Sequence, residues 1–338
     1  MKGILSVLSH YDFSIHCIIP IQDDVYRVET SRGVYCLKCA NKGEHKMLFI
    51  YSILKHLEEQ GFTKVSFPVP AKDGSPLVHH DHKIYFMTHW ISGIPCDFKR
   101  EDHLTAAAET LAEFHQHAKG AKLLEGAKAR AMYRKWPHVL QKRTEDLQKF
   151  KSLTQKKSSL TPFEKKYLAI ADQVIAQGGK ACATLQSSEY RKIAKKAEKE
   201  QSFTHRDVAA RNFIIEDDKK AALIDFDYAR YDIRAADVVR LLERSLRDQH
   251  WHEEKGDLIL KSYQKVYPLE KEQYQVMLAF LQFPQKIWRI SERYFEGKVS
   301  WQDEGFLKKL SSALRKMSYQ EKFCHSFENK YCQARKGG

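Results

Sequence analysis

The chain has 338 residues, 43% of them hydrophobic and 30% charged, which suffices for one large or two medium domains and excludes a disordered chain. No run reaches the roughly 18 apolar residues of a membrane span. The seven cysteines, odd in number and widely spread, fit reduced thiols and not a disulfide framework. The N-terminus, "MKGILSVLSHYDFSIHCIIPIQDD", carries one Lys and a broken apolar run, a poor signal peptide. A soluble cytoplasmic protein without a membrane partner is expected. The formal charge of +14, from 57 basic and 43 acidic residues, is the whole case for a nucleic-acid partner. Its runs, such as "RKIAKKAEKE", mix acids and bases at helical spacing as solvated faces do, and no nucleic-acid-binding motif accompanies them.

In chain order, "VYRVETSRGVYCLKCA" reads as two strands around a Ser-Arg-Gly turn. Cys36 and Cys39, three apart in the second strand, point to opposite faces, and no second Cys/His pair follows at zinc spacing. "GEHKMLFIYSILKHLEEQGF" is a helix with Met47, Ile50, Leu54 and Leu57 on one face and Gly61 as its stop. "LVHHDHKIYFMTHW" supplies two more strands around a His/Asp turn. Beyond residue 100 the pattern is helical. "EDHLTAAAETLAEFHQHAKG" runs to Gly120, and "TPFEKKYLAIADQVIAQGG" opens with a capping box from Thr161 to Glu164, with Pro162 at the first helical position. The Lys-, Gln- and Ser-rich segment 140–160 reads as an exposed helix end plus a loop. The expected fold is α+β, with two lobes: residues 1–89, an antiparallel sheet with one helix, and residues 90–338, mainly helical with one embedded hairpin.

That hairpin carries the chemistry. In "SFTHRDVAARNFIIEDDKKAALIDFDYARYD" (202–232), "NFII" and "AALID" are short apolar strands joined by the polar turn "EDDKK". If they pair, Asn212 at the start of one lies beside Asp225 at the end of the other, and Asp207 enters the same mouth. Hard divalent cations take such oxygen ligands, often one or two protein groups plus phosphates. The spacing H-R-D-x-x-x-x-N followed by Asp-Phe is the one phosphoryl-transfer enzymes of the kinase type use. A surface hairpin whose acids merely end strands would explain "EDDKK" but not the acids at the opposite end. The same chemistry needs a lysine on a strand of the first lobe and a helix glutamate beside it. Lys38 ends "GVYCLK", and Glu44 starts the next helix. "YFMTHWISG" reads as the hinge between lobes, where backbone amides would meet an adenine edge.

Together "VYRV", "YCLK", the hinge strand, "LAEFHQHAKG", the catalytic loop and "LIDFDYARYD" resemble the aminoglycoside phosphotransferase and choline kinase superfamily, a small-molecule branch of the protein-kinase-like fold. The resemblance covers nearly the whole chain. Within it, "RKIAKKAEKEQSFTHRD", "IDFDYARYDIRAADVVRLLER" and "FPQKIWRISERYF" are most similar to the bacterial spore-coat CotS group. It implies Asp207 as the catalytic carboxylate, Asn212 and Asp225 as Mg²⁺ ligands, Lys38 on ATP (or GTP) phosphates and Glu44 holding Lys38. It also implies a small-molecule hydroxyl as acceptor, deposition in the spore coat, and other coat proteins as partners. Trp251, Trp288, Arg289 and Tyr294 are candidate acceptor-lining residues, although aromatic residues at helical spacing are more often core. Asp227 replaces the glycine of a protein kinase Asp-Phe-Gly, which resembles the small-molecule branch. Two departures stand out. Arg206 takes a position where many small-molecule phosphotransferases carry glycine. The phosphate loop, "CIIPIQDDVYRVET", has no glycine. Gln22, Asp23 and Asp24 stand there, and two carboxylates repel a triphosphate. An active kinase and a catalytically silent coat component both remain open on these residues.

Overall fold

The computed structural model describes residues 2–40, 42–217, 220–297 and 302–333. In chain order the elements begin with α1 (Lys2–Leu8), β1 (Ile15–Gln22), β2 (Val25–Thr30), β3 (Gly33–Ala40) and α2 (Glu44–Glu59). Next come β4 (Pro68–Val69), β5 (Val78–His80), β6 (Lys83–His89), β7 (Ile94–Pro95) and α3 (Glu101–His117). Three helices follow, α4 (Trp136–Gln155), α5 (Pro162–Ser187) and α6 (Tyr190–Lys199). Four short strands, β8 (Phe203–Thr204), β9 (Phe213–Ile215), β10 (Ala221–Leu223) and β11 (Arg230–Tyr231), precede the last helices. These are α7 (Ala235–Leu246), α8 (Glu253–Val266), α9 (Lys271–Gln282), α10 (Gln285–Phe295) and α11 (Asp303–Phe327). Among the described residues no helix is long and apolar enough to cross a membrane.

The residues divide into two compact units. The first holds residues 1–131, 199–234 and 259–267, the second 132–198, 235–258 and 268–338. The lobe boundary expected at 89/90 falls inside the first unit.

In the first unit an antiparallel sheet runs in the order β1-β2-β3-β6-β4, with β5 also paired to β6. Strand alternation decides its faces. Val28, Leu37 and Met87 point into a core shared with Val7 and Leu8 of α1, and along β3 Tyr35, Leu37 and Cys39 are buried while Lys38 lies on the other face. Cys36 shares the face of Lys38, so the two thiols of C-x-x-C do diverge, and all seven cysteines are free. The β5–β6 turn is Asp81-His82, both left-handed at φ 48° and 60°, the backbone that a tight hairpin demands. Helix α2 buries Met47, Ile50, Leu54 and Leu57 as its spacing predicts, and Gly61 at φ 78° ends it.

A second, three-stranded sheet, β10-β9-β7, joins the hairpin to the segment after β6. Gly93 makes the junction possible, because a Cβ there would stand 2.2 Å from the Ile215 carbonyl oxygen, and its φ is +146°. Leu223 N also donates to the Lys64 carbonyl at 2.8 Å, fixing the hairpin to the segment after α2.

In the second unit α5 starts as its sequence predicts. Glu164 N donates to Thr161 Oγ1 at 3.2 Å, and Thr161 N donates back to the Glu164 carboxylate at 3.0 Å. It then continues through Gly178 to Ser187. A Cβ at Gly178 would lie 2.8 Å from Thr144 Oγ1, so the glycine is what lets α4 approach. Segment 140–160 is a helix end followed by a loop, since α4 is helical to Gln155 and residues 156–160 are not. The helix end is not simply exposed: it buries Leu140, Thr144, Leu147, Phe150 and Thr154. Those residues recur every three or four positions, an apolar stripe thin enough to be masked by the lysines and glutamines between them. Trp288 is a core residue of this unit, and Tyr294 is half-buried. The Trp288 indole donates to Asp146 at 3.2 Å, and the Tyr294 ring stacks on Phe163 at 4.0 Å.

Candidate active site

The two short strands pair as a hairpin, and their register sets where Asn212 and Asp225 stand. β9 and β10 pair with Phe213 opposite Leu223, and Ile224 N donates to the Asn212 carbonyl at 3.0 Å. Asn212 therefore sits across from Ile224, one residue short of Asp225. At Asp225 the chain turns left-handed, φ 66°, and leaves the ladder. Aspartate tolerates that conformation better than most residues because its short polar side chain can bond locally. The middle of the "EDDKK" turn, Asp218 and Lys219, lies outside the described residues.

Asp207 and Asn212 are buried and joined. The Asn212 amide nitrogen donates to the Asp207 carbonyl at 2.8 Å and to its carboxylate Oδ2 at 3.0 Å. Arg211 donates to the same oxygen at 2.6 Å. Two donors on one oxygen fix the carboxylate's orientation. With its nitrogen so engaged, Asn212 keeps its Oδ1 facing away from Asp207, and among the described residues that oxygen accepts no hydrogen bond. His205 holds the two halves of the site in register: its Nε2 is 2.9 Å from the Ile224 carbonyl, and its ring meets Phe226 edge-on at 4.6 Å.

Arg206 keeps the left-handed backbone, φ 72°, that glycine would adopt without strain. A non-glycine residue held there costs about 1–3 kcal/mol. Its guanidinium lies 4.0 Å from Asp232, a fully buried carboxylate that also accepts two hydrogen bonds from Arg230.

Lys38 reaches the site from β3. Its ammonium stands 2.9 Å from Asp225 Oδ1 and 2.9 Å from Asp227 Oδ2. Burial works against both charges, but each stabilises the other. The Asp225 carboxyl is held below its usual range, and the Lys38 ammonium above its own, because the opposite charges outweigh desolvation. The pair expected between Lys38 and Glu44 is not formed among the described residues. Glu44 is the exposed first residue of α2 and faces His79 of β5 at 3.6 Å. In its place the helix offers a cation. Lys46 donates to the Ala229 carbonyl and lies over the Phe49 ring at 4.7 Å. Burial is the main cause that pushes its ammonium down to about 8, with Asp227 opposing.

Sequence reasoning passed over Lys46 and the ion-pairing role of Asp227. The signals were present: Lys46 heads the buried stripe Phe49, Ile53, Leu57 at helical spacing, and Asp-Phe-Asp offers a second carboxylate two residues after Asp225.

Gln22–Asp24 end the β1–β2 hairpin. Val25 pairs with Lys38 in the sheet, and Cys39 N donates to the Asp24 carbonyl at 2.8 Å, so this tip lies at the Lys38 end of the strands. Asp24 takes φ 62°, where glycine would relax the turn, and Lys83 stands 3.8 Å from its carboxylate.

Among the described residues no group of three or more His, Cys, Asp or Glu side chains could hold a metal by itself. Asp225 and Asn212 carry the kind of oxygen donors that Mg²⁺ takes one or two at a time beside phosphates.

Comparisons with known proteins bear on the fold and the family. Spore coat protein S of Bacillus subtilis (strain 168) is 25% identical over 333 residues, covering 97% of this chain and 93% of that protein. The crystal structure of an aminoglycoside phosphotransferase from Alicyclobacillus acidocaldarius superposes with a TM-score of 0.85 at 23% identity, over 97% of this chain and 96% of that one. An amicoumacin kinase solved with AMP-PNP and Ca²⁺ superposes with a TM-score of 0.60 at 13% identity, over 96% and 93%. The fold is thus the α+β, two-lobe, protein-kinase-like one. The model of the family described as "Phosphotransferase enzyme family" matches residues 20–277, and the chain belongs to that family.

Proposed function

We propose that the protein transfers a phosphoryl group from ATP or GTP, with Mg²⁺, to a hydroxyl of a small molecule. The observation that carries this reading is the convergence of an oriented Asp207, the free oxygen of Asn212, and Asp225 paired to Lys38. Residues 1–89 would form the nucleotide-binding lobe and residues 90–338 the lobe with the catalytic loop. Asp207 accepts the proton of the acceptor hydroxyl as its oxygen forms the new P–O bond and the bond to the ADP oxygen breaks. Lys38 turns from the carboxylates toward the nucleotide phosphates and offsets their charge. Bound Mg²⁺, held by Asn212 and Asp225, would neutralise phosphate oxygens. Glu44 has no role in this account. The solved neighbours named as an aminoglycoside phosphotransferase and an amicoumacin kinase support a small-molecule acceptor.

A second reading is favoured by one observation. The tip at Gln22–Asp24 sets two carboxylates at the Lys38 end of the sheet, where they would repel a triphosphate. A chain that binds no nucleotide would serve as a structural component. In either case the likeness to spore coat protein S supports a place in the spore coat beside other coat proteins.

Thermal melting separates the two readings, since a ligand that binds only the folded state must raise Tm. A rise with millimolar ATP or GTP plus Mg²⁺, and ADP release stimulated by a member of an amino-alcohol and sugar panel, are expected. No rise with either nucleotide would leave the silent component as the better description.

A further inference from the structure

The second unit contains a concentration of positive charge that phosphoryl transfer at Asp207 does not use. On α7 and the turn after it, Arg240, Arg244 and Arg247 stand at spacings of four and three, hence on one helical face. On α10, Lys286, Arg289 and Arg293 repeat the arrangement at three and four. The two rows lie within each other's field. Arg289 is acted on by Arg240, Arg244 and Arg293, and Lys286 by Arg247, Arg289, Arg293 and by Lys309 of α11. Glu243 offsets part of this at Arg289.

The cations at the centre are poorly compensated by the protein itself. Among the described residues neither Lys286 nor Arg289 has a side-chain ion pair or hydrogen bond. Arg240 Nε is buried without a partner, and Arg247 reaches Asp248 only at 3.5 Å. Burial first, and then the neighbouring cations, push the Lys286 ammonium down to about 8 and hold the Arg289 guanidinium below its usual range. A row of solvated lysines spreads outward and relaxes such repulsion. Here Arg240, Arg244, Arg289 and Arg293 are half-buried and Lys286 is exposed, and guanidinium groups, with their planar fork of donors, match phosphate oxygens in pairs.

We propose that the α7–α10–α11 cluster is a binding site for the phosphate monoester of a small molecule, centred on Arg240, Lys286 and Arg289. A dianion with three terminal oxygens answers several converging cations better than a carboxylate does. Two short facing rows suit a compact ligand, whereas a nucleic acid asks for cations spread along a groove. The site lies wholly in the second unit and stands whether or not the transfer reaction does.

The test uses the full chain, with inorganic phosphate and glycerol 3-phosphate as probes against sodium chloride at equal ionic strength. Both probes are expected to raise Tm and to bind in calorimetry. Lys286→Gln with Arg289→Gln should weaken binding at least tenfold, and without ligand this double variant should melt higher than the wild type, because repulsion is relieved. Lys286→Arg with Arg289→Lys should keep both fold and binding. Lys38→Met should keep binding, which separates this site from the nucleotide site. The double variant Lys165→Gln, Lys195→Gln, with the same loss of charge elsewhere in the second unit, should bind as the wild type does. Equal weakening in that control would reduce the cluster to diffuse charge and overturn the proposal. So would loss of binding in Lys38→Met alone, a lowered melting temperature of the ligand-free Lys286/Arg289 glutamine variant, or an RNA oligonucleotide that binds the cluster more tightly than glycerol 3-phosphate.

Discussion

The two charged regions of this molecule balance their charges in opposite ways. In the first unit Lys38 has two carboxylates at 2.9 Å, and Asp207 receives Arg211 and Asn212 on one oxygen. In the second, Lys286 and Arg289 feel mainly other cations, with Glu243 opposing at Arg289. A self-compensated site suits a ligand that arrives with its own counterion, as a nucleotide does with Mg²⁺. One whose central Lys286 and Arg289 have no acidic ion-pair partner among the described residues suits a bare anion. The difference teaches that net charge, +14 here, says little until its partners are located.

The largest expected effect breaks the first region without disturbing its charge pair. Asp207→Ala should lower phosphoryl transfer by about 10²–10⁴-fold, while the nucleotide-dependent rise in Tm persists. Survival of transfer in steady-state assays would remove Asp207 from the catalytic role.

A second contrast concerns sign. Lys38→Met leaves Asp225 and Asp227 close together with no cation, so urea denaturation should show a loss of ~1–2 kcal/mol, the partial exposure of the pair keeping it below the cost of breaking a buried one. Lys286→Gln should instead gain ~0.3–0.5 kcal/mol, as relief of exposed like-charge repulsion does. Two losses of similar size would erase the distinction between the regions.

The smallest effects lie in pH dependence. Because the folded carboxyl of Asp225 lies below its unfolded value, its contribution is present above the ordinary carboxylate range and lost as pH falls through the lowered value. In Lys38→Met that loss should begin at higher pH. Lys286 runs the other way. Its ammonium sits at about 8 against 10.5 in the free side chain, so between those values the unfolded chain binds more protons and stability rises with pH. Lys46, also lowered to about 8, adds to the same rise. Melting curves between pH 8 and 10.5 should flatten in part for Lys286→Gln and in part for Lys46→Met.

What was legible in the sequence follows from how locally each feature is encoded. Asp207, Asn212 and Asp225 lie within nineteen positions and are joined by one hairpin, so strand register alone places them together. The pairing of Lys38 with Asp225 spans 187 positions and depends on how the sheet and the hairpin pack, which no periodicity encodes. That is why Glu44, near in sequence, was the expected partner and Asp225 is the observed one. In segment 140–160 the helix end and the loop at 156–160 were legible, but the buried stripe of α4 was not, being diluted by lysine and glutamine. The rows on α7 and α10 each resemble an ordinary solvated face, and only their mutual approach makes them a site.

Calorimetric titration of ATP with Mg²⁺ into the wild type and Asp225→Ala tests the account most directly. Binding in the wild type that depends on Mg²⁺, weakened at least tenfold and made metal-independent in Asp225→Ala, is the expected result. Equal binding by both proteins, or no heat from the wild type at millimolar nucleotide, would contradict the assignment of this hairpin as a phosphoryl-transfer site.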